Sequence, residues 1–258
     1  MTLSIRKIKR FLLAVLWLAV GVALVVFLIA AIKKRDDKVC RGMNIEIVNP
    51  GVHLFADKND IRGMIKFMNI PVEGSPISEI NLQLMEAELE KNAWIKNAEL
   101  FFDNNELLQV RVTERDPVAR IFTTAGKSYY IDSDLFRLPL STRFSARVPV
   151  FTNCPLDKTK WNGTDSLLLD QIRQVSEYVS RDEFWMAQVS QIDYAGANRF
   201  EIIPTVGDHK VVLGDGNNLE SKFGKLYIFY KEVLAKSGWN RYGKIDIRFK
   251  DQVVATKN

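Results

Sequence analysis

Trp94-Ile95-Lys96-Asn97-Ala98-Glu99-Leu100-Phe101-Phe102 is followed by the turn Asp103-Asn104-Asn105 and then by Leu107-Leu108-Gln109-Val110-Arg111-Val112-Thr113-Glu114. In the second run Leu108, Val110 and Val112 fall on one side, and Gln109, Arg111 and Thr113 on the other. That period of two belongs to a half-buried strand, so the passage reads as two strands joined by a short turn. Upstream the period changes. Leu82, Met85, Leu89 and Ala93 form a helical stripe, with Ser78 as its expected N-cap. Before it, Asp57 is placed to cap a helix carrying Ile61, Met64, Ile65 and Met68 at three- and four-residue spacing. Two prolines and a glycine between Asn69 and Pro76 separate the helices. Asn44 to Val48 alternates as a strand, and Asn49-Pro50-Gly51 turns the chain. The order is strand, helix, helix, strand, strand: two helices closing one face of a small sheet.

Beyond Asp116-Pro117 the pattern becomes strand-rich. Short strands are predicted at Arg120–Phe122, Tyr129–Ile131 and Val148–Phe151. A helix follows over Ser166–Val179, then strands at Val189–Tyr194, Phe200–Ile203 and Lys210–Leu213. A long helix spans Leu219–Ser237, with Asn217 and Glu220 at capping-box spacing, and a single strand over Lys244–Val254 closes the chain. The fold class expected is α+β.

At the other end, Phe11 to Ile32 is a run of 22 residues without a charge. As a helix it would be about 33 Å long, enough to cross a hydrocarbon core of about 30 Å. No small-residue cleavage site follows it, so the reading is a retained membrane anchor rather than a signal peptide. Arg6, Lys7, Lys9 and Arg10 precede it; Lys33, Lys34, Arg35 and Lys38 follow it. Four cations on each side leave the orientation open by charge bias. The predicted layout is a tail over 1–10, a transmembrane helix over 11–32, a linker over 33–43, a first domain over 44–115 and a β-rich domain with two helices over 116–258.

The net charge of +5 belongs to the anchor. Residues 1–38 hold eight of the 36 basic and two of the 31 acidic side chains, which leaves 28 and 29 for the remainder. The folded part therefore has no global positive field for nucleic acid. Cys40 and Cys154 are the only cysteines, and pairing between them is left open.

Catalytic chemistry finds little support. His53 and His209 are the only histidines, and nothing places a nucleophile beside either. Two histidines and two distant cysteines show no zinc spacing. Gly214-Asp215-Gly216 lacks the third glycine of a dinucleotide loop, Asp132-Ser133-Asp134 is not continued as a calcium loop, and Asn162-Gly163-Thr164 is a bare sequon. No catalytic residue, cofactor, metal or small-molecule substrate is assigned. Trp239, Tyr242 and Phe249 lie around the last strand, which at a sheet edge would present unpaired N–H and C=O groups to a partner strand.

Taken in order, these pieces resemble the FtsQ/DivIB family of bacterial division proteins. The resemblance rests on Ile80-Asn81-Leu82 leading to Leu89 and Asn92-Ala93-Trp94-Ile95-Lys96-Asn97-Ala98. It rests most on Val110-Arg111-Val112-Thr113-Glu114-Arg115-Asp116-Pro117-Val118-Ala119, similar to the family's domain junction. Tyr129-Tyr130-Ile131-Asp132, Lys225-Leu226, Ile245-Asp246-Ile247-Arg248-Phe249 and Gln252-Val253-Val254 match later pieces. Departures are the short tail, the missing hydroxyl residue near Phe55 and Ala56, and the stretch from Arg137 to Asp165, which matches nothing. The resemblance implies a POTRA domain (β-α-α-β-β) over 44–115 and a non-enzymatic scaffold. That scaffold would sit in the inner membrane with its N-terminus cytoplasmic and its bulk periplasmic, enriched at the septum. It also implies FtsB-like and FtsL-like partners, regulation of septal peptidoglycan synthesis, and partner-strand addition at Arg248, Phe249, Lys250, Asp251, Gln252, Val253 and Val254. Another POTRA-bearing assembly factor is disfavoured, since the chain has no room for a barrel. A membrane-bound hydrolase would need a nucleophile, a base and an orienting group gathered in one pocket.

Overall fold

The computed structural model describes residues 13, 15–28, 38–48, 55–158 and 160–258. The residues of 11–32 that are described are helical. Their side chains are exposed all round, Trp17 at 70% and Phe27 at 74%. The rest of that segment lies outside the described residues, and among those described no helix is long and apolar enough to cross a membrane. The expected 1–10 tail also lies outside the described residues.

The chain divides into two units after Thr113. The first is a three-stranded sheet in the order β1-β3-β2, with β1 Gly42–Val48, β2 Ile95–Phe102 and β3 Leu107–Glu114. β1 runs parallel to β3, Ile45 opposite Val110. Helices α1 (Lys58–Phe67) and α2 (Leu82–Leu89) cover it. Their buried Ile61, Ile65, Met85 and Leu89 meet Ile45, Ile95, Leu108, Val110 and Val112 in one cluster. Asp57 caps α1 as expected and makes a reciprocal capping box with Asp60. Ser78 does not cap α2: Ile77–Glu79 is a 3-10 turn, and Asn81 accepts from the Leu84 N–H instead.

The linker expected over 33–43 is shorter at its C-terminal end. Cys40 donates its N–H to Ser75 and accepts from Gly74, and its side chain is 1% exposed, so the first unit already includes it. Residues 33–37 lie outside the described residues. At the other boundary Glu114 and Arg115 cluster with the second unit, not the first. The Arg115 guanidinium donates to Asp132 at 2.7 Å and lies 4.1 Å over the Phe136 ring. Asp132 also accepts from the N–H groups of Asp134 and Phe136, so the Asp132-Ser133-Asp134 turn is a structural lock. Breaking one side of such a buried pair costs about 3–5 kcal/mol.

The second unit is a nine-stranded mixed sheet, β12-β11-β10-β9-β8-β7-β4-β5-β6. Its strands are β4 Pro117–Thr123, β5 Ser128–Asp132, β6 Arg137–Leu138, β7 Val150–Cys154, β8 Val189–Tyr194, β9 Phe200–Pro204, β10 Lys210–Gly214, β11 Tyr242–Asp246 and β12 Val254–Lys257. Alternate residues point inward: Ala119 and Ile121, Tyr129 and Ile131, Phe200 and Ile202, Val211 and Leu213. Against them pack α3 (Gly163–Ser180), the short α4 (Glu183–Gln188) and α5 (Leu219–Phe229). α5 continues through a π turn, Tyr230–Leu234, into Ala235–Ser237. Two helices were expected here; α4 is the third. α3 starts three residues earlier than predicted because Asn162 and Asp165 form a capping box. The box expected from Asn217 and Glu220 does not form, since the N-cap is Asn218 in a left-handed conformation and Asn217 bonds Asp215. Both cysteines are free thiols and buried.

Candidate partner-docking edge

β12 is the outermost strand of the large sheet. Its one neighbour is β11, antiparallel, with Asp246 opposite Val254 and Tyr242 opposite Lys257. Among the described residues no strand pairs its other edge, and no side chain bonds to the backbone of Val254–Lys257. A row of backbone donors and acceptors is therefore open to another chain.

The single strand expected over Lys244–Val254 is two strands with a break between them. Arg248 to Val253 form the connection, and of the seven residues expected to receive a partner only Val254 lies in β12. The physical reason lies in two anchors. Asp246, 7% exposed, holds Arg248 by its backbone N–H at 3.1 Å and by Nε and Nη2 at 2.9 and 2.6 Å. Burial opposes ionisation of Asp246, but the Arg248 hydrogen bonds outweigh it and hold the carboxyl below its ordinary range. From α5, Lys225 Nζ donates to the carbonyls of Ile247 at 3.4 Å, Phe249, and Lys250 at 2.9 Å. These carbonyls are turned to a lysine and are lost to the ladder.

The connection thereby shapes a surface beside the edge. A shallow cleft of about 200 Å³ lies between α5 with its π turn (Lys225, Ile228, Phe229, Val233) and Gln252 and Val253. Ile228 is 61% exposed beside it, and Phe249 is 43% exposed. A more polar cleft of about 470 Å³ includes Arg199, Asp215, Lys222 and Arg248. There Lys222 donates to Asp215 at 2.7 Å, and that bond overcomes burial to hold the Asp215 carboxyl below its ordinary range. The arrangement offers backbone pairing, apolar anchorage and guanidinium contacts side by side, the features of strand addition.

The aromatic residues expected together here part company. Trp239 packs on Tyr230 and His209, with ring centroids 5.2 and 6.5 Å apart, and Tyr242 packs on Phe229 at 5.6 Å. Only Phe249 faces solvent in the connection. Ala255, Thr256 and Lys257, the rest of the open strand, and Lys225, which orders the connection, were not expected. The consecutive polar residues Lys250-Asp251-Gln252, which interrupt the alternation of the final segment, were the available signal for the break.

The titratable groups in the core are engaged in packing. His209 is 1% exposed with Nε2 3.0 Å from the Tyr230 hydroxyl, and burial pushes the Cys154 thiol up to about 12. His53 lies outside the described residues. Among the described residues no group of three or more His, Cys, Asp or Glu could hold a metal ion.

Residues 116–256 match the family model described as FtsQ/DivIB, C-terminal related. Residues 38–113 match a POTRA-like domain. A protein of Geotalea daltonii named cell division protein FtsQ is 25% identical over 189 residues, covering 72% of this chain and 66% of its own length. One of Salinibacter ruber with the same name is 26% identical over 191 residues, covering 70% and 71%.

Proposed function

Because this chain belongs to the FtsQ/DivIB family of cell division proteins, we propose that it is a non-catalytic, single-pass membrane scaffold of the division machinery. It would take up FtsB-like and FtsL-like partners and so help regulate septal peptidoglycan synthesis. The observation that carries this reading is the open outer edge of β12 at the end of the nine-stranded sheet. An incoming strand would pair with Val254–Lys257 and lay its side chains over Phe249 and the cleft beside Ile228. Arg248 and Lys250 suit acidic residues in the partner.

The anchor reading rests on the apolar run Phe11–Ile32 and on the exposure of its described part. A helix apolar all round buries itself in a core or in lipid, and residues 15–28 have no core here. With the N-terminus cytoplasmic and both units periplasmic, the β12 edge meets other envelope proteins at the septum. The POTRA-like unit would then be a second docking surface.

The test is capture of FtsB-like and FtsL-like partners by the full chain in detergent. Phe249→Ala should weaken binding by about 2 kcal/mol or more, roughly thirtyfold. Unchanged affinity would remove Phe249 from the site, and absence of any capture by the unaltered chain would remove the function. A fluorescent fusion spread evenly around the cell rather than gathered at the septum would tell against the location.

A further inference from the structure

The first unit has two outer strands, β1 and β2, and the edge of β2 is treated differently from that of β12. β2 is an outer strand of the β1-β3-β2 sheet, eight residues long. Its Ala98 N–H is bonded to Glu90 Oε1 at 3.1 Å, and its Leu100 N–H to Glu86 Oε1 at 2.7 Å. Both glutamates come from α2 and its C-cap. The spacings match: four residues along a helix advance about 6 Å, and two residues along a strand about 6.6 Å. One helix face thus sets two carboxylates against two successive N–H groups of the same strand edge. Carboxylate acceptors bind N–H groups more strongly than a neutral carbonyl does. An incoming strand would have to displace both charges before its first two bonds formed.

We propose that Glu86 and Glu90 close the β2 edge to strand addition, and that the strand they exclude is β2 of a second copy of this chain. Copies anchored in one membrane meet at high effective concentration, which makes edge-to-edge pairing a hazard. β2 invites it, since Phe101 on its outward face is 42% exposed. Closing β2 removes one of the two outer strands of the first unit from strand addition while β12 stays open. The reason copies meet rests on the anchored-scaffold reading, whereas the closure itself uses no partner protein and is tested without one.

Two measurements on the full chain in detergent decide it. In the unaltered chain, the Ala98 and Leu100 amides should exchange with solvent at least about tenfold more slowly than open-edge amides of Val254–Lys257. Equal rates would overturn the closure. In sedimentation, Glu86→Ala/Glu90→Ala should form species of twice the protein mass at concentrations where the unaltered chain does not. Glu86→Gln/Glu90→Gln, which keeps an acceptor oxygen at each place, should remain nearer the unaltered chain. If the alanine pair stays at the unaltered mass with a native circular dichroism spectrum, the proposal fails. If that pair unfolds, Glu90→Ala alone is compared by the same criterion.

Discussion

At the scale of single residues, His209 shows how packing sets chemistry. Its ring is buried between Tyr230 and Trp239, and Asp208 precedes it in the chain. Burial lowers its pKa from the ordinary 6.5, against the raising effects of a hydrogen bond to the Trp239 backbone carbonyl and of the charge of Asp208. The folded state therefore binds this proton less readily than the unfolded state. Stability from this group is complete above about pH 6.5 and is lost as pH falls from there through the lowered value. Thermal unfolding between pH 7.5 and pH 5 should show a fall in melting temperature that His209→Phe reduces. An identical fall in both proteins would assign the loss elsewhere. His209 immediately precedes β10, and the sequence carried no sign of Tyr230, 21 positions away, as its partner.

At the scale of elements, the connection between β11 and β12 is the part of the candidate site that depends on another element. Lys225 of α5 reaches three of its carbonyls. Hydrogen bonds from a charged donor contribute about 1.5–3 kcal/mol each where well formed, less where solvent reaches them. Lys225→Met keeps the stem and removes the donors. It should leave the fold intact, accelerate amide exchange over Ile247–Val253, and weaken partner capture by about tenfold, since a loosened connection must be ordered on binding. Unaltered exchange would mean that Asp246 and Arg248 hold the connection alone. Of the helices and strands, those with a full period were legible: Ile61 and Ile65 of α1, the alternation in β3, the stripe of α3. The two-residue β6 and the six-residue α4 were not. β6 and α4 are too short to show a period, and the break after Asp246 lies where Ile245, Ile247 and Phe249 alternate with charged residues, a pattern that suits a continuous strand.

At the scale of the whole molecule, the chain joins an apolar helix to two folded units of separate core. Removing residues 1–32 should move the protein from the membrane fraction to the soluble fraction while its circular dichroism retains the signal of both units. Retention in membranes would locate a second attachment in the folded part. The order of the longer elements and the apolar run were determined by the sequence alone. They depend on side-chain chemistry at short range, and periodicity records which face is apolar. Which strands end at an open edge, and which edge is closed, was decided only by the tertiary structure. Strand order rests on backbone hydrogen bonds that every residue can make, so it leaves little trace in side chains. The Glu86–Leu100 and Lys225–Lys250 bonds, 14 and 25 positions apart, exist only once packing has brought those elements together.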